Sequence, residues 1–327
     1  MGILVNGQWQ VDEVYPRDAT GSFIRVPSQF RHWITPDGAA GPSGEGGFAA
    51  EAGRYHLYIA IVCPWAHRTR IFRTLKKLDG IVSMSVCAPW REDKGWEFAP
   101  DQAEFRDHLF NARYMHEIYT HAKPDYTGRV TVPVLWDKQR KTIVNNESSE
   151  IIRMFNAAFN RLTGDTKDYY PSDLRAEIDA WNERIYKTLN NGVYRAGNAA
   201  SQQAHEEAVL ALFATLDAIE AHLATNRYLC GDRLTEADWR LFPTLVRFDA
   251  CYNGVMKCNL RRLVEYPNLS AYTRELFQMP GIAESVNVDY FKLGYYGNRE
   301  RNPSGIVPIG PIVDFTSPHR RERLKAA

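Results

Sequence analysis

The stretch Arg54-Tyr55-His56-Leu57-Tyr58-Ile59-Ala60, followed two residues later by Cys63-Pro64-Trp65-Ala66, decides the fold. Its first part, rich in aromatic and branched residues, reads as a strand over 54–60. Pro64 then opens a helix over about 64–78, with Ile71, Leu75 and Leu78 at helical spacing. Proline is tolerated at the first helical position, where its missing N–H costs nothing, so Cys63 falls at or beside the N-cap.

Working outward, a short buried strand is expected at 81–87. An insertion over 88–127 carries an amphipathic helix near 102–122. The run Thr131-Val132-Pro133-Val134-Leu135-Trp136 reads as another strand, with Lys141-Thr142-Ile143-Val144 as its hairpin partner. A helix starts after Asn145-Asn146-Glu147-Ser148-Ser149. The order strand–helix–strand–helix–strand–strand–helix predicts an α/β thioredoxin-like domain over 51–160. Residues 1–50 read as an irregular extension, with a glycine-rich loop over 37–47. Residues 172–294 form an all-α helical domain, patterned as in Val209, Leu212, Leu216, Ile219 and Leu223. Residues 295–327, rich in Pro and Gly at first, read as a wrapping segment and tail.

Bulk properties narrow the function. The 327 residues carry a formal net charge of +1, so no whole-chain field argues for nucleic acid or an anionic membrane. The basic run His319-Arg320-Arg321-Glu322-Arg323-Leu324-Lys325 reads as a solvated tail. The N-terminus lacks the charged and apolar regions of a secretory signal, and no apolar run is long enough to span a membrane. Five scattered cysteines argue against a disulfide framework, and a cytoplasmic, reducing location fits better. No Cys-x-x-Cys or His-Glu-x-x-His pattern supports a metal site.

The chemistry centres on Cys63. The positive end of the helix favours its thiolate, which is the nucleophilic form. His67, Arg68 and Arg70 either add to this effect or line a solvated helix face. Position 66 is alanine, so Cys63 has no nearby cysteine with which to close a disulfide. A mixed disulfide there must be resolved by an outside thiol, for which glutathione is the obvious candidate. Cys87, Cys230, Cys251 and Cys258 read as core residues. A cis Val132–Pro133 bond would turn the backbone groups of Val132 toward an extended peptide such as glutathione. Glu147-Ser148 opens a helix whose N–H groups suit a carboxylate, while Glu147 suits an ammonium; a plain capping sequence accounts for the same residues. Leu234-Thr235-Glu236-Ala237-Asp238-Trp239 reads as a capping box with its hydrophobic staple, a folding device.

Taken together, these blocks resemble the glutathionyl-hydroquinone reductases, the Xi class of glutathione transferases. The likeness runs from about residue 20 to 312. It rests on Cys63-Pro64-Trp65-Ala66-His67-Arg68, Gly95-Trp96-Glu97-Phe98, the run from Gly128 to Asp137, the run from Asn146 to Phe155, Asn190-Asn191-Gly192-Val193-Tyr194, Leu234 to Asp249, and Asn302-Pro303-Ser304-Gly305-Ile306. The resemblance implies a glutathione transferase fold and a homodimer built through the helical domains. It implies that glutathione is a co-substrate, with no permanently bound cofactor, and that Trp96, Arg129, Val132, Glu147 and Ser148 hold it. Cys63 would act with Tyr194 and Tyr296 on a glutathionyl-hydroquinone, with Tyr252 and Tyr295 in the substrate pocket. Two departures bear on the acceptor side: Val255-Met256 replaces an expected His-Phe pair, and Asn198 replaces an aromatic residue. An Omega-like thiol transferase or dehydroascorbate reductase uses the same cysteine logic. A non-catalytic scaffold of this fold would be expected to lose the thiol or the Glu147-Ser148 pair.

Overall fold

The segment expected to be irregular begins with a hairpin, β1 (Ile3–Val5) and β2 (Gln8–Gln10). Its turn is Asn6-Gly7, both at positive φ, the pairing that a tight two-residue turn demands. In the computed structural model, which describes residues 2–11 and 16–324, Leu4 exchanges backbone hydrogen bonds with Gly128. The chain divides into two units, Met1–Val14 with Val26–Lys167, and Tyr15–Arg25 with Asp168–Ala327.

The first unit is built on β3 (Tyr55–Ala60), α1 (Pro64–Leu75) and β4 (Ser83–Cys87), a parallel crossover unit. The short hairpin β5 (Arg91–Glu92) and β6 (Gly95–Trp96) follows, then α2 (Met115–Ala122). Next come β7 (Val134–Asp137), β8 (Thr142–Asn145), α3 (Ser148–Ala157) and α4 (Asn160–Thr163). The sheet order is β4-β3-β7-β8, with β7 antiparallel to both its neighbours. All six residues of β3 are buried, as its unbroken apolar and aromatic run requires of a central strand. The one histidine among them, His56, places Nδ1 2.7 Å from Ser83 Oγ and Nε2 2.9 Å from Ser85 Oγ. Burial holds this imidazole neutral, with its pKa lowered to about 3.

The helix expected near 102–122 is shorter. Residues Ala103–Phe105 form only a 3-10 turn, and the α-helix starts at Met115. Asp107 explains the break: its carboxylate accepts from the backbone N–H groups of Leu109, Phe110 and Ala112, and from Tyr58 Oη. A local side-chain acceptor that captures three nearby backbone donors competes with the helix ladder.

The second unit is helical. It comprises α5 (Arg175–Ile185), α6 (Gly192–Gly197), α7 (Gln202–His222), α8 (Glu236–Arg247), α9 (Asn253–Val255), α10 (Pro267–Phe277) and α11 (Val288–Tyr296). Leu212, Leu216, Ile219 and Leu223 of the α7 stripe are fully buried. The capping box forms at α8: Asp238 accepts from the N–H of Thr235, and also from Leu229 N and Tyr272 Oη, so the buried carboxylate ties three segments together. Two π-helical turns, Tyr186–Asn190 after α5 and Phe248–Tyr252 after α8, interrupt the regular pitch.

The basic run at the C-terminus is not simply a solvated tail. Arg321 is 2% exposed. Its guanidinium donates to the carbonyls of Leu223, Asn226 and Arg227 and lies 3.3 Å from Glu275 Oε2. Leu223 and the residues after it end α7, where carbonyls lack intrahelical partners, so Arg321 acts as a cap. Lys325 lies outside the described residues. Among the described residues no helix is long and apolar enough to cross a membrane.

Candidate active site

Cys63 is the N-cap of α1, with extended backbone angles and Pro64 at the first helical position. Its carbonyl accepts the first intrahelical bond, from His67 N at 3.0 Å. The sheet register brings a second feature to the same place. Tyr58 pairs with Val134, so Val132 and Pro133 lie beside the end of β3 from which Cys63 follows. The Val132–Pro133 bond is cis. Cys63 Sγ lies 3.4 Å from Val132 O and donates to it. The thiol therefore meets two opposed influences. The helix start favours the thiolate, and the carbonyl acceptor favours the protonated thiol.

The expected alternative of a solvated face for His67, Arg68 and Arg70 does not hold for the first two. Arg68 is 1% exposed and His67 is buried, because α1 packs one side on β3 and another on α3. Arg68 stacks over Trp65, 4.6 Å from the ring centroid, and its Nη1 donates to Ser148 Oγ at 3.5 Å. A buried guanidinium is costly unless satisfied. Its engagement links the helix of the thiol to the start of α3. Sequence reasoning gave Arg68 no such role; the i, i+3 spacing of Trp65 and Arg68 was the available signal.

Glu147 is the N-cap of α3. Its Oε1 accepts from Ser149 N and Ser149 Oγ, and its Oε2 accepts from Ser28 Oγ at 3.2 Å. The capping reading is thus realised, and a carboxylate with about four acceptor positions retains capacity beyond these three bonds. Because β8 ends opposite the start of β7, Glu147 and Ser148 lie at the same sheet edge as Val132. Trp96 sits in the β5–β6 hairpin, paired with Arg91. Arg129 is half-buried, and its carbonyl accepts from Tyr126 Oη.

In the helical unit the structure groups tyrosines differently from the expected Tyr194–Tyr296 pair. Tyr194 Oη lies 2.7 Å from Tyr295 Oη, which lies 3.0 Å from Tyr252 Oη. Tyr252 and Tyr295 are 0% and 4% exposed, whereas Tyr194 is half-exposed. The first two are therefore the inner members of a hydroxyl chain rather than open pocket walls. Tyr296 is turned elsewhere: a Cβ on Gly254 would come within 2.1 Å of its Oη, and the hydroxyl accepts from the Val255 backbone. Neighbouring positions on α11 point about 100° apart, so Tyr295 and Tyr296 cannot share one face. The Arg25 guanidinium lies 5.2 Å over the Tyr194 ring and donates to Asn191 Oδ1, fixing the start of α6. No local sequence pattern marks Arg25 for this contact.

Both departures have local partners. Asn198 Oδ1 accepts from Nε and Nη2 of Arg301, at 3.1 and 3.0 Å. Met256 is buried against Gly197, where any Cβ would meet its sulfur at 2.1 Å. The four remaining cysteines are buried, and no cysteine is in a disulfide. Burial pushes the thiols of Cys230, Cys251 and Cys258 up to about 12, and that of Cys87 well above its ordinary value. Among the described residues no group of three or more His, Cys, Asp or Glu side chains is placed to hold a metal ion.

Comparison with known proteins bears on this arrangement. Residues 62–158 match the glutathione S-transferase N-terminal domain, and residues 202–275 match the glutathione S-transferase C-terminal domain. The glutathionyl-hydroquinone reductase YqjG of Escherichia coli is 50% identical, over 98% of this chain and 99% of its own. Its glutathione-bound structure superimposes with a TM-score of 0.91. The glutathionyl-hydroquinone reductase PcpF of Sphingobium chlorophenolicum is 48% identical, over 95% and 96% of the two chains. A Xi-class glutathione transferase from Natrialba magadii is 44% identical, with a TM-score of 0.90 over 99% and 97%.

Proposed function

The chain belongs to the glutathione S-transferase family as a Xi-class glutathionyl-hydroquinone reductase, and we propose that Cys63 is the residue through which it removes glutathione from its substrate. The overall reaction consumes a glutathionyl-hydroquinone and one glutathione, and yields the hydroquinone and glutathione disulfide. The observation that carries the assignment of Cys63 is its place as N-cap of α1, with Sγ on Val132 O.

In the first step the Cys63 thiolate attacks the sulfur of the glutathionyl-hydroquinone. A Cys63–glutathione disulfide forms and the sulfur–carbon bond breaks. The electron pair leaves on the ring carbon, which takes a proton. In the second step a glutathione thiolate attacks the glutathionyl sulfur of that disulfide and restores the Cys63 thiolate. The absence of a cysteine at Ala66 supports resolution by an external thiol. Glutathione would lie extended along Val132, with its γ-glutamyl charges at Glu147, Ser148 and the α3 start, and with Trp96 and Arg129 as further contacts. The Glu147 carboxylate would take the ammonium by using its remaining acceptor capacity.

For the proton we assign Tyr194, the half-exposed end of the three-hydroxyl chain. Tyr295 and Tyr252 stand behind it and orient its hydroxyl. Tyr296 takes no direct part in this reading. A homodimer working in the cytoplasm, as the sequence resemblance implies, belongs to the same proposal. Steady-state assays with a glutathionyl-hydroquinone or with dehydroascorbate, each with glutathione, test the reading. Hydroquinone release should dominate by about a hundredfold in kcat/KM. Equal or greater dehydroascorbate reduction would support Omega-like chemistry instead.

A further inference from the structure

We propose that the cavity between α10 and the C-terminal segment 317–323 is a binding site for a phosphate group carried by a small molecule. The cavity has a volume of about 440 Å³. Both sides of its C-terminal wall are fastened. Upstream, Gln278 Nε2 donates to the carbonyls of Phe315 and Ser317, and the rings of Phe277 and Phe315 lie 5.2 Å apart. Downstream, buried Arg321 is bound to the end of α7 and to Glu275. The wall is therefore held in place without a ligand.

Its charge is one-sided. Arg274, Arg320 and Arg323 line it, together with His319 and Asn268, and no Asp or Glu does. The nearby acids are already paired, in part with residues of the wall itself, and Arg274, Arg320 and Arg323 are not among their partners. Glu275 pairs with Arg227 and Arg321, Glu322 lies 3.2 Å from His319 Nε2, and Glu220 accepts from the N–H groups of Asn268 and Leu269. Arg274 donates from Nη1 to Ser270 Oγ, yet its Nε is buried with no hydrogen-bond partner among the described residues. A buried guanidinium nitrogen is costly to leave without an acceptor, and an oxyanion is an acceptor suited to it. Arg320 holds a left-handed backbone, φ 57°, which a non-glycine residue adopts only where its surroundings demand it. Planar guanidinium groups suit phosphate oxygens, and the volume exceeds that of a bare phosphate, leaving room for a carrier.

Calorimetry on the full chain with inorganic phosphate and with adenosine 5′-monophosphate, at about physiological salt, tests the site. Saturable binding with Kd at or below about 1 mM is expected for at least the monophosphate ester. Arg274→Met and Arg320→Ala should each weaken it by about tenfold or more, while glutathione-dependent turnover stays unchanged. Should Arg274→Met fail to fold, Arg323→Ala takes its place beside the exposed Arg320→Ala. Tighter binding of the ester than of phosphate supports a carried phosphate group. Equal binding of the two would overturn the need for a carrier. No saturable binding by either probe, displacement by chloride at equal ionic strength, or full affinity in the variants would overturn the site.

Discussion

Cys63 Sγ donates to the carbonyl oxygen of Val132 across 3.4 Å, joining the residue that starts α1 to the residue before the cis proline that precedes β7. Two features that lie 69 positions apart in the chain thus form one place. The carbonyl that receives the thiol proton belongs to the backbone segment along which an extended peptide would pair. A bound peptide that claims this carbonyl removes the acceptor that favours the protonated thiol, and leaves the helix start to favour the thiolate.

The cysteines should therefore differ sharply in reactivity. Iodoacetamide at neutral pH, followed by peptide mass spectrometry of the folded protein, should label Cys63 well before the others. Cys230, Cys251 and Cys258 have thiols pushed up to about 12 by burial, and burial likewise holds the Cys87 thiol well above its ordinary value. Only thiolates alkylate at useful rates. Comparable labelling of all five in the folded state would contradict this ordering.

The tyrosine arrangement separates two neighbours on α11. Tyr194→Phe removes the hydroxyl that meets Tyr295 at 2.7 Å, and should lower hydroquinone release by about tenfold or more. Tyr296→Phe removes a hydroxyl lodged at Gly254, and should change turnover by less than about threefold. Formation of the glutathione mixed disulfide from a simple disulfide should survive in both variants, since that step needs no ring proton. A larger loss in Tyr296→Phe than in Tyr194→Phe would restore Tyr296 to the reaction.

His56 sets a pH dependence of stability. Its folded pKa is lowered to about 3 from an ordinary 6.5, because burial between Ser83 and Ser85 disfavours the charged ring. Between these values the unfolded chain binds a proton that the folded chain does not. Stability is therefore full above about 6.5 and falls as the pH drops toward about 3. Thermal unfolding of the native protein and of His56→Gln across this window measures the term. The variant should show a shallower decline, and an identical slope would remove His56 as a source.

Most of the first unit was legible because its signals are local. The β3 run, the Cys63-Pro64 start and the Val132-Pro133 pair each carry their structural meaning within a few residues. What was not legible depends on distant partners. The solvated reading of Arg68 and Arg321 failed because charge alone does not show that a guanidinium will find Ser148 or the open carbonyls at the end of α7. The helix expected near 102–122 was cut short by one acidic side chain, Asp107, whose competing bonds no apolar periodicity displays. That Tyr295 joins Tyr194 and Tyr252 while Tyr296 turns toward Gly254 depends on the phase of α11 and on partners distant in sequence, which no local pattern displays.

The role of Cys63 is tested most directly by Cys63→Ser, assayed for hydroquinone release from a glutathionyl-hydroquinone in the presence of glutathione. Intact-mass analysis of both proteins after exposure to substrate alone completes the measurement. The native protein should gain one glutathionyl group, lost again on adding glutathione. Cys63→Ser should gain none and release no hydroquinone above the uncatalysed rate, because a hydroxyl cannot form the mixed disulfide. Substantial turnover by Cys63→Ser, or a glutathionyl adduct on Cys87, Cys230, Cys251 or Cys258 that glutathione discharges at the catalytic rate, would contradict the account.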